Sequence, residues 1–90
     1  MAILLVTYDL KKPGRNYEPV WNYLKQFTYC KGLESVWLLD TTMTTAQVRD
    51  GMLSLVDNND RVFVCRIQNQ SWASYNMPCS DWLNDSRRNW

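Results

Sequence analysis

The chain has 90 residues, with ten lysines and arginines against nine acids and a formal net charge of +1. That length makes one small domain, and the near-neutral balance removes any global electrostatic case for nucleic-acid binding, so phosphate contacts must come from a local patch. The sequence contains no histidine, which excludes serine and cysteine triads, histidine-pair ribonuclease chemistry and histidine-ligated zinc; a carboxylate with a metal-bound water is the economical catalytic route left.

The opening run, Ala2-Ile3-Leu4-Leu5-Val6-Thr7-Tyr8-Asp9, is nearly unbroken apolar sequence ending in a carboxylate, with Pro13-Gly14 as a turn signal. It predicts a strand covered on both faces that delivers Asp9 to the start of a basic loop carrying Lys11, Lys12 and Arg15. At that boundary Asp9 has two readings, a cap for loop amides or a ligand for a hard cation placed before a phosphate. The three basic residues are either solvated turn charges or phosphate contacts. Tyr8 is core packing with a bonded hydroxyl, or a group that orients substrate.

Tyr17, Val20, Trp21, Leu24 and Phe27 then fall at helical spacing, which predicts a helix over 17–27 with Asn16 as N-cap and Pro19 in the first turn. Residues 28–30 read as a short edge strand, Gly32 as a turn, and 34–40 as the second long strand. Thr44-Thr45-Ala46-Gln47 matches a capping box and opens a second helix whose apolar face is Val48, Met52, Leu55 and Val56. Asp57-Asn58-Asn59-Asp60 stops it, and 61–67 is the third long strand.

This order predicts an α+β, ferredoxin-like sandwich (βαββαβ), with one antiparallel sheet, two helices on one face, and the first and third strands central. Residues 1–67 form that core. Residues 68–90 are an aromatic-rich C-terminal extension, folded over the open sheet face or packed on a second subunit. Trp21 and Trp37 belong to apolar faces. Trp72, Tyr75, Trp82 and Trp90 are candidates for core cover, base stacking or a dimer interface, and the interface is preferred because a small domain gains most by burying aromatics there. Ser80 or Asp81 would cap a short terminal helix, with Arg87 and Arg88 complementing its C-terminal end. Cys30, Cys65 and Cys79 are odd in number and far apart, which predicts reduced thiols, with Cys65 a small core residue and no zinc site. The lack of a leader pattern or membrane-length apolar run predicts a cytoplasmic protein.

With these residues laid out, the chain resembles the small CRISPR-associated Cas-two family and its stand-alone SinR-like relatives. The resemblance lies in a first strand ending Tyr8-Asp9, the basic loop with Lys11, Lys12 and Arg15, and Ser35-Val36-Trp37 after the first helix. It covers about residues 2–67, and the later segments Trp72-Ala73-Ser74 and Cys79-Ser80-Asp81-Trp82-Leu83 are closer to the SinR-like branch. The resemblance implies a homodimer in which two Asp9 carboxylates approach across the two-fold axis. It also implies one of two functions on that fold: a metal-dependent endonuclease using Mg²⁺ or Mn²⁺ on the paired Asp9 side chains, or a non-catalytic scaffold for RNA, DNA or protein. Basic residues gathered around Asp9 would favour the first and scattered ones the second. A module binding a small molecule is a third reading, and it requires a pocket.

Overall fold

A computed structural model describes residues 2–11, 16–68 and 71–88. Strand β1 (Ala2–Asp9) lies inside the sheet because residues 3–7 find partners on both sides, while Tyr8 and Asp9 run on beyond β3 beside β4 alone. It pairs antiparallel with β3 (Val36–Thr41), Leu4 opposite Leu39, and with β4 (Arg61–Ile67), Val6 opposite Val64. Strand β2 (Thr28–Leu33) adds beyond β3, giving a four-stranded antiparallel sheet in the order β2-β3-β1-β4. The domain is therefore α+β, with helices α1 (Glu18–Leu24) and α2 (Thr45–Leu53) on one sheet face.

Alternation along the strands divides the apolar residues between two faces. Leu4, Val6, Trp37 and Leu39 point toward the helices and close with Tyr17, Val20, Leu24, Val48 and Met52 into the main core. Ile3 and Leu38 point the other way and are covered by Cys79 and Leu83 from the terminal helix α3 (Ser80–Asn84). At about 1.5–3 kcal/mol for each fully buried large side chain, both layers matter to a chain this short.

Local chemistry sets the element ends. The capping box is formed: Thr44 Oγ1 accepts from Gln47 N at 3.1 Å, and Gln47 Oε1 accepts from Thr44 N at 2.9 Å. Helix α1 starts at Glu18 with Tyr17 rather than Asn16 at the N-cap, Asn16 Oδ1 instead accepting the Glu18 amide at 3.0 Å, and it ends at Leu24 rather than Phe27. Tight bonds from Gln26 N to Tyr23 O and from Phe27 N to Leu24 O wind its end into turns. Gly32 is not a turn but part of β2, and the reversal falls on Glu34 and Ser35. A Cβ at Gly32 would lie 3.1 Å from Met77 Sδ, so glycine there lets the C-terminal segment settle on the sheet. Gly51 has the same role between the helices, where a Cβ would collide with the Tyr23 ring and hydroxyl. Burial there also pushes the Tyr23 phenol upward from its ordinary pKa.

The thiols overturn the expectation of reduced cysteines. Cys30 and Cys79 form a disulfide across 49 residues, with Cα atoms 5.8 Å apart. Register explains it: Cys30 stands opposite Leu38 and so shares the sheet face that α3 covers. Cys65 is free, but it is half-buried on that outer face rather than enclosed in the main core. Trp21, also expected in the core, is half-buried at its rim. The terminal arginines do not complement a helix end. Arg87 pairs with Asp85 at 2.7 Å, holding that carboxyl well below the ordinary range. Arg88 Nη1 reaches Asp40 Oδ2 at 3.3 Å in a buried pair, with its guanidinium 4.0 Å above the Trp82 ring. Cys79 stands at the N-cap of α3 with no side-chain bond, and Ser80 and Asp81 lie inside the helix.

Candidate functional site

Strand alternation sends Tyr8 and Asp9 to opposite faces of the sheet end. Tyr8 turns toward the helices, where its phenolic oxygen accepts hydrogen bonds from Trp21 Nε1 at 3.1 Å and Trp37 Nε1 at 3.0 Å. Both lone pairs are then occupied, while its own O–H has no acceptor among the described residues. The hub joins α1, β1 and β3. Its three members are far apart in sequence, so only the aromatic content of each segment hinted at it.

Asp9 turns outward beside its cross-strand partner Arg61. Its carboxylate Oδ2 contacts Lys11 Nζ at 2.8 Å, with the two side chains 56% and 48% exposed. A solvent-facing pair of this kind contributes about 0–1 kcal/mol, so it orients charge more than it stabilises the fold. The amide-capping role weighed for Asp9 belongs to Asp60. Asp60 Oδ1 accepts from Lys11 N at 2.7 Å and Tyr17 Oη at 2.9 Å, and its Oδ2 accepts from Asp57 N at 2.7 Å. An aspartate closing an Asp-Asn-Asn-Asp turn was the available signal for this role.

Two clefts open at this end. One, of about 570 Å³, is lined by Tyr8, Asp9, Leu10, Tyr17, Trp21, Lys31, Glu34 and Ser35. The other, of about 230 Å³, lies among Thr7, Tyr8, Asp9, Arg61, Val62 and Phe63. Lys11 and Arg61 thus stand beside Asp9, whereas Lys31 lines the larger cleft from the β2 edge on the helix-facing side, its Nζ 5.5 Å from the Trp37 ring centroid. Other cations lie elsewhere: Arg49 pairs with Asp50, Arg66 lines a cleft at the opposite end of the sheet, and Arg88 is buried with Asp40. Lys12 and Arg15 fall outside the described residues, as does Trp90.

A divalent cation does not fit the residues of one protomer. Mg²⁺ and Mn²⁺ take carboxylate oxygen with water or phosphate, but the Lys11 ammonium contacts the Asp9 carboxylate. No group of three histidine, cysteine or acidic side chains gathers among the described residues. Of the residues expected at an interface, Trp72 and Tyr75 are 38% and 89% exposed, while Trp82 is half-buried against the Ile3–Leu38 layer of its own sheet.

No protein-family model matches the sequence, and no solved structure matches it. No helix among the described residues is long and apolar enough to cross a membrane.

Proposed function

We propose that this protein is a ferredoxin-like homodimer that binds nucleic acid without cleaving it, in the manner of a Cas-two or SinR-like scaffold. The spread of Lys11, Lys31 and Arg61 around this end of the sheet, with Lys11 alone touching the Asp9 carboxylate, carries the reading, because scattered cations suit backbone binding better than a metal site. Those cations come from separate elements, and a phosphate backbone wrapping the end of the sheet would meet them in turn. The dimer is supported by the uncovered half of the outer face. There Phe63, opposite Thr7, is 59% exposed beside half-buried Val36, an apolar surface a second copy would bury. Binding is favoured over cleavage because the Lys11 ammonium already engages the carboxylate that a metal would need.

The endonuclease reading rests on one specific observation, that Asp9 points outward next to this apolar surface. A two-fold contact there would supply a second Asp9, and Mg²⁺ or Mn²⁺ would have to displace Lys11. A cytoplasmic location further requires the Cys30–Cys79 bond to survive a reducing pool, a survival that the fully buried Cys79 favours.

Labelled single-stranded RNA and duplex DNA, incubated with protein in Mn²⁺ or in chelator, test both readings together. Retarded but intact strands with wild type and Asp9→Ala support the scaffold. Cleavage abolished by both chelator and Asp9→Ala would replace it with the nuclease.

A further inference from the structure

Tyr8 is built as a hydrogen-bond donor. Two indole N–H groups occupy its oxygen at 3.1 and 3.0 Å, leaving the O–H unpaired, and hydrogen bonds accepted by a hydroxyl strengthen the bond it donates. The walls around it are fixed before any ligand arrives: Trp21 is tied to Tyr8, and Tyr17 is tied to Asp60 at 2.9 Å. The cleft of about 570 Å³ that these residues share is large enough for a nucleotide and offers aromatic surface next to Lys31 and Glu34.

The ligand's chemistry follows from this mixed lining. A simple anion would meet Glu34 and Asp9, and a simple cation would meet Lys31. A flat, neutral group with both a carbonyl and a ring N–H satisfies the site: the carbonyl accepts from Tyr8 O–H, the N–H donates to a carboxylate, and the ring stacks on the aromatic wall. Asp9 is engaged by Lys11, whereas Glu34 has no partner among the described residues and is the available acceptor. We infer that the cleft receives one unpaired keto nucleobase of a single strand, thymine, uracil or guanine, while the neighbouring lysines meet its phosphates. This inference rests on the nucleic-acid reading above and adds base selection to it.

The test uses the intact protein and fluorescence anisotropy with three labelled octamers: oligo-dT, oligo-dA and an abasic strand. Wild type binds oligo-dT about five-fold more tightly than the other two, the scale of one or two net hydrogen bonds. Tyr8→Phe removes that preference and leaves abasic binding unchanged. Glu34→Gln, an exposed position whose change leaves the core intact, weakens the same preference and guards against misfolding of the Tyr8 variant. Equal binding of oligo-dT and the abasic strand would overturn the base cleft while leaving backbone binding intact. A thymine preference that survives both substitutions would place base recognition elsewhere. Thymidine monophosphate binding as tightly as the octamer would make a free nucleotide the ligand, and no binding of any strand would overturn the underlying nucleic-acid reading as well.

Discussion

Cys79→Ser should remove most of the fold's cross-linking stabilisation. The bond joins the edge strand β2 to the start of α3 and closes a loop of 49 residues that contains β3, α2 and β4. In the chain-entropy treatment a loop of that length contributes about 4 kcal/mol at 25 °C. For a chain this small, one kcal/mol moves the midpoint by several degrees, so the expected fall in Tm is on the order of 20 °C. The same substitution replaces a fully buried sulfur in the Ile3–Leu38–Leu83 layer with a hydroxyl, which adds to the loss. Circular dichroism melts of wild type with and without reductant separate the two effects, since reduction breaks the bond and keeps both sulfurs. A Tm that moves by less than about 5 °C on complete reduction, well below the loop-closure figure, would show that the bond contributes little to the fold. The Arg88–Asp40 pair and the contacts of Leu83 would then hold the C-terminal segment unaided.

Asp40→Ala leaves the Arg88 guanidinium buried without its carboxylate, and urea denaturation should show a loss of about 3 kcal/mol, with Asp40→Ala/Arg88→Ala recovering much of it. The buried Asp40 Oδ1 and Arg88 Nε lack partners among the described residues, which is why the pair itself is not expected to add much net stability. Tyr8→Phe strands two indole N–H groups and should cost about 2 kcal/mol by the same assay. Asp85 is held below the ordinary carboxylate range by its hydrogen bond from Arg87. A lowered folded pKa means that its favourable effect is present above the unfolded value and disappears as pH falls toward the folded one. Carboxyl NMR shifts should therefore show Asp85 still ionised at pH values where other aspartates protonate, and Arg87→Ala should return it to the common range.

Much of the fold was legible because its signals are local. The apolar run of β1, the alternation of β4 and the Thr44–Gln47 capping box are each written within a few residues, and each forms where expected. Element ends were less readable. Gly32 looks like a turn residue, yet what decides its place is Met77, a contact from 45 positions away in the chain that no local rule contains. The Cys30–Cys79 bond and the Asp40–Arg88 pair were hidden for the same reason, since each depends on α3 folding across the outer sheet face. At the site, Tyr8, Asp9 and Lys11 could be singled out by chemistry alone. Their division between two faces required strand register, and the two indoles on Tyr8 required the helix to be packed.

If Lys11, Lys31 and Arg61 meet the phosphates of one strand at this end of the sheet, the salt dependence of binding reports them. The slope of log affinity against log salt for a single strand should be negative for wild type. With Arg61→Ala its magnitude should fall by about 0.7, the share of one phosphate contact. The same slope for wild type and for Arg61→Ala, Lys31→Ala and Lys11→Ala would exclude these cations as phosphate contacts and move any nucleic-acid contact away from this end of the sheet.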